Sequence, residues 1–265
     1  MNTDTISKGK LRVERDGAVG RMVLDNVERR NAVNGDMWRA IPEAVKEFVA
    51  DPAVRCIVLR GEGTTAFAAG ADISEFEKNR ATKDNVKTYE GWTEAAHHAI
   101  ETSPKPVIAL IHGFCVGGGM ALALSCDLRY CADNSQFAVP AARLGLGYGV
   151  HGHNRLVATV GQAAAREIMY SARRYSAQEA FGMGLVNRVL PSAELDEYVR
   201  KMASDLASNA PLTMATSKTI INELIEAKGD FAEAQRMIAR CMGSEDYIEG
   251  RRAFMEKRKP AFKGK

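Results

Sequence analysis

The chain lacks any apolar run long enough to cross a bilayer, and its first ten residues carry no hydrophobic signal core. Membrane insertion and secretion are therefore not expected. Its five cysteines (Cys56, Cys115, Cys126, Cys131 and Cys241) are odd in number, show no C-x-x-C spacing and lie mostly in apolar runs. Such thiols behave as small hydrophobes, and a reducing, cytoplasmic setting is expected. Charge of one sign is also scarce: 36 Lys and Arg against 33 Asp and Glu leave a net +3, mostly interspersed. That balance argues against nucleic-acid binding, which uses a concentrated basic face. No cluster with metal-ligand spacing is evident, so no metal is expected. No Ser/Gly-rich linker divides the chain.

What remains is a globular composition, 46% hydrophobic and 26% charged over 265 residues, enough for a substantial core. Residues 11–14 and 19–24 read as strands joined at Asp16-Gly17, a hairpin signal. Met37, Ile41, Val45 and Phe48 recur at helical spacing until Asp51-Pro52. A buried strand at 56–59 follows, then a helix over 84–102 whose His97-His98 pair reads as surface. Pro104 and Pro106 introduce an apolar strand at 107–111; a glycine turn, a small-residue helix at 120–125 and a strand at 128–131 come next. This alternation predicts an α/β fold with parallel strands and outer helices. After Pro191 only helices are expected, over 192–208, 212–227, 231–242 and 245–258, which divides the chain into an α/β core (1–200) and a helical extension (201–265).

Two glycine turns carry the chemistry. Ala69-Gly70-Ala71-Asp72 and Gly117-Gly118-Gly119 each follow an apolar strand, and small residues there let backbone approach a ligand closely. The triple glycine runs straight into a helix, whose first N–H groups have no internal partner and favour negative charge. Two such amides aimed at one carbonyl oxygen form an oxyanion hole for an acyl thioester, worth about 3 kcal/mol per donor.

Taken together, these stretches resemble the enoyl-CoA hydratase/isomerase (crotonase) superfamily. The resemblance runs through Glu28-Arg29-Arg30-Asn31-Ala32, residues 66–73, Pro106-Val107-Ile108-Ala109, the triple glycine and Cys126-Asp127-Leu128. It continues in Gln136-Phe137-Ala138, Ala180 with Gly184-Leu185-Val186, and residues 253–258. It implies a spiral of ββα units with a C-terminal helical trimerisation region, and trimers that often pair into hexamers. It also implies an acyl-CoA substrate, with coenzyme A entering as part of that thioester and no bound prosthetic group. The oxyanion-hole amides would fall on Ala71 and Gly118, and CoA contacts near Arg29, Arg30, Ala69 and Ile73. Phe254 would pack on adenine and Lys257 meet a phosphate, often from a neighbouring subunit, which gives the basic C-terminus a role.

Hydratases of this superfamily use two glutamates, and the matching positions here are Ala121 and Ala141. A methyl group can neither hold a water nor move a proton. The loop from Leu144 to His153 offers Tyr148, His151 and His153 instead, and with the Ser244–Gly250 end it resembles methylmalonyl-CoA decarboxylases, which carry a tyrosine at the matching loop position. Decarboxylation of a malonyl-type thioester needs no base; its barrier lies in the enolate, which the hole stabilises. Tyr148 is the candidate to orient the carboxylate, and His151 the candidate proton source, with at most one of the two histidines facing the site. The alternatives are hydration with a relocated acid/base and an acyl-CoA-binding trimer without catalysis. Gly147 to Gly152 spells G-x-G-x-x-G but lacks a preceding strand, which argues against a dinucleotide fold. Asp72 is read as a helix cap, and Arg143, Arg155, Arg173 and Arg174 as structural or as partners for a substrate carboxylate.

Overall fold

Asp16-Gly17 closes the first hairpin because Gly17 takes φ +58, a left-handed conformation that glycine adopts without a Cβ clash. The coordinates are a computed structural model that describes residues 5–8, 10–72, 75, 83–144, 146–226 and 232–265. β1 (Thr5–Lys8), β2 (Leu11–Asp16) and β3 (Val19–Leu24) form an antiparallel meander. Asn34 then caps α1 (Gly35–Ala50), its side chain accepting from Met37 N, and the chain passes into β4 (Cys56–Gly61) and β5 (Ala66–Ala68). Next come α2 (Lys83–Thr102), β6 (Val107–Ile111), β7 (Phe114–Val116) and α3 (Gly118–Ser125). β8 (Leu128–Ala132), β9 (Gln136–Ala138), α4 (Ala141–Leu144), α5 (Val150–Ser171), β10 (Tyr175–Ser176), α6 (Ala177–Gly182) and β11 (Arg188–Leu190) complete the sheets. Four helices close the chain: α7 (Ser192–Ser208), α8 (Pro211–Glu226), α9 (Ala232–Met242) and α10 (Glu245–Glu256).

The large sheet runs β1-β2-β3-β4-β6-β8-β11 and is parallel from β3 onward; the small sheet runs β10-β9-β7-β5 with β5, β7 and β9 parallel. Each turn of the chain thus lays one strand in each sheet before its helix, as β4-β5-α2, β6-β7-α3 and β8-β9-α4. This is the expected spiral of ββα units. The four short strands of the small sheet carry too few residues for a period-two pattern, and the sequence reading passed over them.

Burial explains the uninterrupted apolar runs. Along β4 and β6, Ile57, Leu59, Val107, Ala109 and Ile111 face the main core with Trp38, Phe67 and Phe137, while Cys56, Val58, Ile108 and Leu110 face α7. Strands covered on both sides have no polar face to alternate with. α7 supplies Leu195, Val199 and Ala203 to that second layer. The 200/201 boundary drawn from sequence falls inside α7, so the helices beyond the sheet begin at Pro211. Residues 150–153, read from sequence as the end of a loop, form the first turn of α5.

Candidate active site

Gly117 caps α3 with φ 54 and ψ −116, a conformation that glycine alone tolerates well, and its N–H donates to Ala138 O at 2.8 Å. The turn is thereby fixed to β9. On the opposing loop, Val33 N donates to Gly70 O at 2.8 Å and Asp72 N donates to Val33 O at 3.0 Å. A bridge that uses residues 70 and 72 directs the intervening Ala71 N–H to the other side. That side is where α3 begins: a Cβ placed on Gly118 would stand 3.4 Å from Ala71 N and 3.3 Å from Trp38 Cζ2. No acceptor among the described residues takes the N–H of Ala71 or Gly118. Both residues are partly accessible. Two free amides therefore border one small opening at a helix N-terminus, an arrangement suited to an oxygen that gains negative charge. Gly119 has a different reason to be glycine, because its Cβ would stand 2.6 Å from Ala68 Cβ and meet the Ala68 carbonyl oxygen closer still.

The loop before α1 lies against the same turn. Arg30 and Asn31 both have positive φ (51 and 56), held because buried Asn31 donates to Glu62 O and Ala66 O and accepts from Asn26 N. Ala69 N donates to Arg30 O at 3.0 Å, and the Arg30 guanidinium lies 5.1 Å from the centre of the Phe114 ring. Arg29 Nη1 donates to Asp72 Oδ1 at 2.9 Å, with Asp72 8% exposed. Arg29, Arg30, Ala69 and Ala71 thus share one neighbourhood, and Asp72 serves there as the partner of Arg29. Ile73 lies outside the described residues, as does the side chain of Phe254. Lys257 is exposed just beyond α10, with φ 53, and the described contacts do not bring it to Arg29 or Arg30.

Ala121 is partly accessible one turn into α3, and Ala141 is buried at the start of α4. The neighbouring carboxylates are engaged: Asp72 with Arg29, Glu75 with Gly35 N at 2.8 Å, and Glu101 with His151 and Arg155. Tyr148 packs against the main core, its ring filling the space that a Cβ on Gly152 would take. Its hydroxyl is buried without a hydrogen-bond partner among the described residues. Burial, with a smaller contribution from Cys115, pushes its pKa up to about 12, so it stays an O–H donor through the neutral range.

His151 Nε2 lies 3.0 Å from Glu101 Oε1, whereas His153 turns away to Gly149 O and the edge of Tyr148. Arg155 is buried beside Glu101 and Asn222, Arg173 pairs with Glu167 and Glu179, and Arg174 flanks Phe114. The sequence reading missed His97. Its neighbour His98 is exposed, but His97 Nε2 is buried without a partner among the described residues, its ring edge-on to Trp38 at 5.5 Å and stacked on His151 at 6.2 Å. The signal was present in the spacing: Tyr89, Ala96, Ile100 and Glu101 bury the same face of α2.

Two cavities lie elsewhere. One of about 570 Å³ sits at the C-terminal end of α3, lined by Cys126, Arg129, Arg155 and Lys218 among others; one of about 610 Å³ lies between α7 and the large sheet. Neither includes Ala71, Gly117 or Gly118 in its lining.

The chain matches the family model for enoyl-CoA hydratase/isomerase over residues 14–265. It is 33% identical to a short-chain-enoyl-CoA hydratase of Clostridium acetobutylicum, over 93% of this chain and 95% of that one. It is 35% identical to a carnitinyl-CoA dehydratase of Salmonella typhi, over 96% and 98%. Among solved structures, an enoyl-CoA hydratase/carnithine racemase from Magnetospirillum magneticum superposes with a TM-score of 0.93 at 36% identity, covering 98% of this chain and 97% of that one.

Proposed function

The chain belongs to the enoyl-CoA hydratase/isomerase family, and from that premise we propose that it decarboxylates a malonyl-type acyl-CoA through an enolate held by Ala71 N–H and Gly118 N–H. The observation that carries the reading is the pairing of that two-amide opening with alanine at positions 121 and 141. The hole stabilises an enolate oxygen, and no carboxylate stands at either position to handle a water.

In the reaction, the bond between the α-carbon and the carboxylate carbon breaks. Its electron pair enters the thioester enolate and CO2 leaves. The amides lower the barrier because they face the oxygen where charge develops, each contributing about 3 kcal/mol. Tyr148 donates its buried hydroxyl, which has no partner among the described residues, to the carboxylate and orients it. His151, half-exposed and paired with Glu101, passes a proton inward to the α-carbon. Arg29, Arg30, Ala69 and Ile73 contact the CoA moiety; Phe254 and Lys257 complete its nucleotide end from a neighbouring subunit of a trimer or hexamer. The helical extension after the α/β core is the trimerisation region in this reading.

A second reading, hydration with His151 as relocated acid/base, is favoured by the hydratases among the relatives and by the His151–Glu101 pair. Incubation with malonyl-, methylmalonyl- and crotonyl-CoA separates the two, following CO2 release against loss of the conjugated double bond. CO2 release supports decarboxylation; crotonyl-CoA turnover at hydratase-like rates overturns it. Binding without turnover across the panel would indicate a binding protein.

A further inference from the structure

Gly118 has no side chain, and three atoms bound the space that a Cβ would fill there. Two belong to the opposing loop, Ala71 N at 3.4 Å and Gly70 C at 3.6 Å. The nearest, at 3.3 Å, is Trp38 Cζ2, and no second atom of that ring comes closer than Gly70 C. Ala71 and Gly118 are partly accessible, whereas Trp38 is 1% exposed. The two amides therefore form the mouth of the opening, and one rim atom of the indole forms its back.

Trp38 is held at that place. Its Nε1 donates to Tyr89 Oη at 2.8 Å, and the His97 ring stands edge-on to it, with 87° between the planes and 5.5 Å between centroids. A ring fixed in advance has no reorganisation to make when charge develops beside it. An aromatic ring is negative on its faces and positive along its C–H rim. Cζ2 is separated from Nε1 only by Cε2, so it lies on the electron-poor, nitrogen-bearing edge of the indole.

Resting on the placement of the thioester carbonyl between Ala71 and Gly118, we propose that Trp38 is a third contact of the oxyanion hole. Its Cζ2–H meets the oxygen from behind while the two amides donate from the front. The 3.3 Å separation matches C–H···O contacts, which span about 3.3–3.6 Å. The contact strengthens as the oxygen gains charge, so it favours the enolate over the ground-state carbonyl and acts on kcat. It serves decarboxylation and hydration alike, because both place charge on the same oxygen.

Trp38 and Trp92 are the two tryptophans of the chain, so a tryptophan-auxotrophic host loads an analogue at Trp38 alone in a Trp92→Phe background. 7-Azatryptophan replaces Cζ2–H by a ring nitrogen whose lone pair faces the opening, with ring size and Nε1–H kept. 5-Azatryptophan puts the same nitrogen at Cζ3 and is the matched control for polarity and stability. The 7-aza protein is expected to lose about fivefold or more in kcat on the best thioester, with KM changed by less than about twofold. The 5-aza protein is expected to stay within about twofold in both. Equal losses in the two proteins, a loss confined to KM, or no loss in either overturns the third contact. Should the 7-aza protein fail to fold, or no thioester be turned over, proton NMR of the unmodified chain decides. The Trp38 Cζ2 proton moves downfield on adding butyryl-CoA if the contact forms, and an unmoved resonance refutes it. Gly118→Ala separates the two levels of the reading. If it leaves turnover and that resonance shift intact, the carbonyl does not lie between Ala71 and Gly118, and both ideas fall. If it abolishes them while 7-azatryptophan changes nothing, the hole stands and only the Trp38 contact is refuted.

Discussion

Replacing Gly118 by alanine tests the oxyanion hole with a single methyl group. The new Cβ would sit 3.4 Å from Ala71 N and 3.3 Å from Trp38 Cζ2. A bound oxyanion has to lie about 2.7–3.1 Å from its donors, so the methyl stands in the place of the oxygen. Neither distance is a severe clash, Gly118 is absent from the positive-φ glycines, and alanine is favoured over glycine in a helix by up to about 1 kcal/mol. Gly118→Ala should therefore fold with its unfolding midpoint nearly unchanged. The amide N–H remains, but with the oxygen displaced from its donors turnover should fall by at least the roughly 100- to 1,000-fold that loss of one donor costs, equivalent to about 2.7–4 kcal/mol.

Gly119→Ala is the matched control, because its Cβ would press on the Ala68 Cβ at 2.6 Å and on the Ala68 carbonyl oxygen. Backbone would have to move, at a cost of about 1–3 kcal/mol, which for a chain of this size lowers the melting temperature by several degrees, about 2–4 °C per kcal/mol. The assay pairs steady-state turnover on the best thioester with thermal unfolding. One substitution should remove activity with stability kept, and the other should remove stability. A folded Gly118→Ala protein with wild-type turnover would refute the placement of the carbonyl between Ala71 and Gly118.

Tyr148→Phe removes a buried hydroxyl that has no partner among the described residues, so urea unfolding should show stability kept or raised by about 1 kcal/mol, while decarboxylation falls by about tenfold or more. An unchanged rate would remove Tyr148 from the mechanism. The Asp196 carboxyl is held down to about 2, first by the hydrogen bond with His112 Nε2 at 2.6 Å and then by Arg60, against an ordinary 3.8. Its folded pKa is depressed, so its contribution is present above about pH 4 and is lost as pH falls toward 2. Because the carboxylate is 47% exposed, solvent screening limits this to about 1 kcal/mol; Asp196→Asn should flatten urea midpoints over that window and leave them parallel to wild type above it. Ala121→Glu with Ala141→Glu should introduce measurable crotonyl-CoA hydration, seen as loss of the conjugated double bond. A folded double variant with none would mean that the two positions do not face one substrate carbon.

The two glycine turns proposed to form the hole were legible because their constraints are local. Gly117 must be glycine for its φ of 54, and Gly119 for its approach to Ala68. Both follow from a short motif between an apolar strand and a helix. The small sheet was not legible, since three-residue strands such as Ala66–Ala68 and Phe114–Val116 show no alternation. Yet that sheet holds the turns in register, with Phe114 opposite Gln136 and Val116 opposite Ala138.

His97 was misread for a related reason. Its helix is polar on average, and the buried face shows only when Tyr89, Ala96 and Ile100 are taken together and α2 is packed on α1 and α3. Likewise His151 reaches Glu101 across 50 residues, from a turn that reads as a glycine-rich loop until Val150 starts a helix. The proposed donors of the hole belong to two consecutive turns of the spiral, so regular spacing points to them. The groups that would hold a carboxylate or move a proton come from α2 and α5, outside that repeat. Substrate class is therefore written in the repeated motifs, whereas the reaction depends on side chains that only the packing of helices on α3 brings to the same carbon.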